Sequence, residues 1–147
     1  MLGYSVDLVP AKRQSATTTD HSLYRRRADT WTKTNVLQHI AYVIAAKRQQ
    51  ETRILKLWRN QRKLDFPSFY LELTVARALA ARPSYSLGDN VSTVFDYLRD
   101  SFPSARIVDP ANTNNVISDD LTIAEKQKIS AAGKVARGTQ YWSDIVA

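Results

Sequence analysis

The stretch RILKLWRNQRKLDFPSFYLEL, residues 53–73, decides the fold. Ile54, Leu57 and Trp58 continue a helical apolar spacing begun by Leu37, Ile40, Val43 and Ile44, and Asn35 stands where a helix cap is needed. LDFPS then breaks the pattern, with Pro67 suited to a first helical position. Leu71, Val75, Ala78 and Leu79 make the stripe of a second helix. Along the first helix Lys56, Arg59, Asn60 and Lys63 follow i, i+3, i+4, i+7 and share a face. Ser68 falls in the first turn of the second, where unpaired N–H groups and the positive end of the dipole suit a phosphate. A lysine from one helix and a serine hydroxyl from the next would make a small triphosphate clamp. A solvated basic surface has the same sequence pattern.

Working outward, Tyr4 to Val9 alternate and are rich in β-formers, which predicts a strand that ends at Pro10 and carries Asp7 in its middle. KRQSATTTD, residues 12–20, reads as a loop, and a second strand is predicted around Ala28 to Lys33. KRQQET, residues 47–52, is polar without a breaker, so residues 35–63 are one long helix or two abutting ones. ARPSYSLGDN, residues 81–90, is a loop from which Asp89 caps a third helix lined by Val91, Val94, Phe95, Leu98 and Phe102 and ended by Pro103. ARIVD is a short extended piece and PANTNNVISDD a turn-dense loop. A capping box from Thr122 to Glu125 starts the last helix, with Ile129, Ala132, Val135, Ala136, Trp142 and Ile145 as its buried face. The fold class is therefore α+β, mostly α. Residues 1–34 form a small β element and 35–147 a helical domain.

A chain of 147 residues with 44% hydrophobic and 24% charged content suits one domain with its own core. Cysteine is absent, which excludes disulfides, thiolate zinc sites and cysteine nucleophiles. His21 and His39 are too far apart to suggest a histidine metal site and read as a loop residue and a helix-face residue. Trp31, Trp58 and Trp142 read as packing, and the Asn/Asp-rich 108–122 lacks the ligand alternation of a calcium loop. No apolar run is long enough to span a membrane and no signal peptide is visible, so the expectation is a soluble cytoplasmic protein. Residues 1–63 hold 13 Lys and Arg against 4 Asp and Glu, a net charge of +9, whereas residues 64–147 hold 8 against 10. That asymmetry suggests an anionic partner, nucleotide phosphate or nucleic acid, although a basic solvated surface fits it equally.

Taken in order, several motifs resemble one family. SVDLVPA, RILKLWR, FPSFYLEL and DPANTNNVISDDLT, with DTWTKTN joining the β element to the helices, are similar to the C-terminal portion of cGAS/DncV-like nucleotidyltransferases (CD-NTases). These are the cyclic-oligonucleotide synthases of bacterial anti-phage (CBASS) systems, related more remotely to 2′-5′-oligoadenylate synthetases. The resemblance implies that Asp7 is the third metal-binding aspartate and a catalytic residue, ligating Mg²⁺, and that Lys56 and Ser68 bind the nucleoside triphosphate. It implies that residues 1–34 are a remnant of the nucleotidyltransferase palm, with one or two of its strands. In the family a Gly-Ser turn and a D-x-D pair lie upstream of that aspartate, and this sequence contains neither.

One carboxylate holds Mg²⁺ poorly, because the ion wants several oxygen ligands in near-octahedral array. The expectation is a fragment of such an enzyme, inactive by itself, that retains weak nucleotide binding; a second chain as the source of the missing palm belongs to the split-enzyme alternative. A non-catalytic nucleotide- or nucleic-acid-binding protein is the alternative, as is one half of a split enzyme.

Overall fold

A computed structural model describes residues 11–25, 30–80 and 86–146. The expected strand Tyr4 to Val9, with Asp7, lies outside them. Three described strands form an antiparallel sheet in the order β1 (Ala11–Arg13), β2 (His21–Arg25), β3 (Thr30–Thr34). Lys12 and Arg13 thus belong to a strand, not to the loop expected there. Their register is set by Ala11 opposite Leu23 and Tyr24 opposite Trp31, whose rings meet at 5.5 Å. The Arg13 side chain donates to the Thr18 and Ala16 carbonyls and so braces the β1–β2 turn.

Asn35 caps α1 (Val36–Ala46) as the sequence predicts: its Oδ1 accepts from the Gln38 N–H at 3.1 Å. Its amide also donates to Thr19 and Asp20, which ties the β1–β2 turn to the helix. Lys47 takes a left-handed conformation, φ 53°, and that break separates α1 from α2 (Gln49–Gln61). The long helix is therefore two abutting ones. α3 spans Ser68–Ala78, with Pro67 one position earlier than expected, at the cap. α4 spans Leu87–Asp100 and is capped by Ser86, whose Oγ accepts from the Asp89 N–H; Asp89 sits inside the first turn and is not the cap. Phe102 lies beyond α4 in a short 3₁₀ turn, Phe102–Ser104.

The turn-dense loop holds a hairpin, β4 (Val108–Asp109) with β5 (Asn112–Val116). α5 (Ile123–Gly138) opens on the complete capping box of Thr122 and Glu125. α5 ends at Gly138 and helical structure resumes in α6 (Trp142–Ile145), so the last helix is two elements, not one.

The core lies among α2 to α5. Trp58, Tyr70, Phe95, Phe102, Leu71, Leu98 and Ile129 are fully buried. Phe66, Tyr70 and Phe102 form a mutual cluster with ring centroids 5.1–5.4 Å apart. Leu55, not Leu57, faces this core, and Leu57 and Val135 are exposed. α1 buries none of its residues, and Leu37, Ile40 and Ile44 point outward. Among the described residues no helix is long and apolar enough to cross a membrane.

Candidate functional site

The α2–α3 junction is built by backbone rules before any side chain acts. α2 ends in a Schellman arrangement: the Leu64 N–H donates to the Arg59 carbonyl and the Lys63 N–H to that of Asn60. Lys63 takes the left-handed position at φ 50°, which removes it from the helix, so the basic face ends at Asn60. Leu64 and Phe66 then drop into the core, and Pro67 starts α3 without a side-chain cap. The first-turn N–H groups of α3 are left to solvent or a ligand, and no acidic residue lies in that turn.

Two side-chain contacts lace the helices together. Arg59 Nη1 donates to the Phe66 carbonyl at 2.7 Å and to Ser68 Oγ at 3.0 Å. Lys56 pairs with Glu72, one turn beyond Ser68. The structure therefore puts Lys56 and Ser68 on facing helices, each reaching the opposite helix through a neighbour and not through each other. Ser68 is exposed, while Lys56, Arg59 and Glu72 are half-buried. Two cations, a hydroxyl and an open helix N-terminus converge there, which is the chemistry of an anion site, with one carboxylate set among them. Sequence reading did not single out Glu72, although its position four residues after Ser68 places it on the same face.

A second polar cluster joins the sheet to the helices. Asp109 is fully buried and accepts from the Ala111 N–H (2.8 Å), Asn115 Nδ2 (3.1 Å), Thr34 Oγ1 (3.2 Å) and His39 Nε2 (2.7 Å). His39 also stacks on Phe69, with centroids 4.0 Å apart. Burial raises the Asp109 pKa, but the hydrogen bonds from Ala111, Asn115 and His39 outweigh it and hold the carboxyl below its ordinary value. His39, expected merely on a helix face, belongs to this network. The Asp-Pro turn with three downstream asparagines, Asn112, Asn114 and Asn115, was its sequence trace.

Among the described residues no group of three or more His, Asp or Glu could hold a metal ion, and Asp7 lies outside them. The described residues by themselves do not fit a Mg²⁺ site.

No protein-family model matches this sequence, and no curated protein does. Solved structures do. E. coli MS115-1 CdnC, solved with ATP, superposes on 88% of this chain and 51% of its own, at 20% identity and a TM-score of 0.73. The same protein in a complex with HORMA-deltaN covers 87% and 49%, at 19% identity and a TM-score of 0.72. This is a CD-NTase-like fold. The chain spans about half the length of the CdnC chains it matches. The α+β, mostly α class read from the sequence is that of the CD-NTase-like C-terminal portion.

Proposed function

We propose that these 147 residues are the C-terminal part of a nucleotidyltransferase that makes cyclic oligonucleotide second messengers from nucleoside triphosphates in anti-phage defence. The observation that carries the reading is the α2–α3 junction, where Lys56, Arg59 and Ser68 surround an open helix N-terminus within a CD-NTase-like fold. In the reaction a ribose hydroxyl of one nucleotide attacks the α-phosphorus of another, a phosphodiester forms, and pyrophosphate leaves. Lys56 neutralises charge on the triphosphate and Ser68 donates a hydrogen bond to it, so both hold the donor in place. Asp7 is the proposed catalytic residue and Mg²⁺ ligand. Residues 1–34 are the proposed palm portion and 35–147 the helical domain.

Without Gly-Ser and D-x-D these 147 residues by themselves should not turn over, and in the split-enzyme alternative a second polypeptide carries those motifs. With Mg²⁺ and mixed triphosphates the purified chain should release no pyrophosphate, whereas steady turnover would refute the assignment. Lys56→Ala should weaken ATP binding about tenfold in calorimetry, as expected for loss of one charged phosphate contact. Equal affinities would remove the clamp.

A non-catalytic nucleic-acid-binding role is the second reading, favoured by the exposed Lys12 and Arg13 of β1 within the half of charge +9. If it holds, affinity for RNA or DNA falls steeply with salt through counterion release.

A further inference from the structure

We infer that Glu72 is a built-in competitor for the anion at the α2–α3 junction: it occupies Lys56 and sets how much negative charge the clamp accepts. The inference rests on the clamp reading above, and the observation behind it is the Lys56–Glu72 ion pair. Side-chain exposures of 34% and 20% make the pair neither free in water nor sealed from it. Lys56 has three donors, and at least one is spent on Glu72. Arg59 is likewise engaged, by Ser68 and the Phe66 carbonyl.

Glu72 stands one turn along α3 from Ser68, on the face that carries Ser68 toward α2. A polyphosphate seated on Lys56 and Ser68 therefore lies close to a carboxylate. Two effects oppose each other. The carboxylate repels the phosphates and takes a donor from them, and at partly buried separations of a few ångströms each unit charge weighs heavily. It also restrains the flexible Lys56 stem, which spares part of the entropy of ordering it. A bare triphosphate brings several negative charges, so repulsion scales with all of them while the restraint is a single fixed gain. Repulsion wins for a metal-free polyphosphate. Glu72 thus biases the clamp against polyanions whose charge is not already neutralised.

The test measures binding of inorganic tripolyphosphate in EDTA to the full chain, its Glu72→Gln variant, Lys56→Ala and the double variant. Gln keeps the shape of the side chain and an acceptor for Lys56, and Glu72→Ala is run beside it. A folded helical circular dichroism spectrum is required of each. The expected result is that Glu72→Gln and Glu72→Ala bind tripolyphosphate about tenfold more tightly, and that the gain disappears when Lys56→Ala is added. If the Glu72 variants bind equally or more weakly while Lys56→Ala still weakens binding, Glu72 only positions the lysine. The inference then falls and the clamp stands. If neither Lys56→Ala nor the Glu72 variants change binding, the clamp and the inference fall together.

Discussion

Four donors converge on the Asp109 carboxylate, and that is why it can stay charged at 0% exposure. Its folded pKa lies below the ordinary 3.8, so its contribution to stability is complete above that value and is lost as pH falls through the lower folded value. Acid unfolding should therefore steepen below pH 3.8, and Asp109→Asn should remove that component from a pH series of thermal melts. At neutral pH Asp109→Asn replaces one accepting oxygen by an NH2 group, which then faces either the Ala111 N–H beside His39 or the Asn115 amide beside Thr34, and this should cost about 1–3 kcal/mol in urea unfolding. Tyr70 is the opposite case. Its hydroxyl is buried with no hydrogen-bond partner among the described residues, and burial, with the Tyr97, Asp120 and Asp119 charges, pushes its pKa upward. Tyr70→Phe removes a group that is desolvated without compensation, so stability should hold or rise by up to about 1 kcal/mol. A loss greater than that would mean the hydroxyl has a partner in solution.

Between elements, α5 packs tightly on α4 at Gly133, where an added Cβ would meet the Leu98 Cβ at 3.0 Å. Gly133→Val sets branched methyls against Leu98 and the Phe95 carbonyl, and overpacking should cost about 1–3 kcal/mol in denaturant unfolding. Lys63 has the reverse prospect. A non-glycine residue in the left-handed region is strained, and Lys63→Gly should stabilise by up to about 1 kcal/mol. These two positions also mark what the sequence can and cannot disclose about elements. The Asn35 cap and the Thr122–Glu125 box were legible because each closes within three residues. Lys63 was misplaced on the helix because no glycine marks the left-handed position of the Schellman turn that ends α2, and the burial of Leu64 and Phe66 that follows it is tertiary. β5 was hidden because its asparagines stabilise it through side-chain hydrogen bonds, to the Lys33 carbonyl and to Asp109, and so leave no apolar alternation to read. That Lys56 and Ser68 stand on successive helices was legible from the spacing, whereas the Lys56–Glu72 pair and the His39–Asp109 contact, 70 residues apart, depend on packing that spacing does not report.

Across the molecule, stability is unevenly distributed. α2 to α5 enclose the aromatic core, whereas α1 is apolar on most faces yet buries none of its residues. A helix of that composition ordinarily lies within a larger core, in keeping with a chain that spans half of the CdnC length. The sheet and α1 are tied to the β4–β5 hairpin by polar bolts, Thr34 and His39 on Asp109 and the Asn112 amide on the Lys33 carbonyl, and His39 also stacks on Phe69 of α3. Local opening free energy follows buried apolar contact, so β1–β3 and α1 should form one weak cooperative unit and α2, α4 and α5 a strong one. Native-state hydrogen exchange should show the first group exchanging well before the second. Asp109→Asn should then speed exchange in β2, β3 and α1 more than in α4 and α5, because it removes a bolt between the units and leaves the aromatic core intact. Uniform acceleration throughout would mean that the molecule opens as a single unit and that the polar junction is continuous with the core.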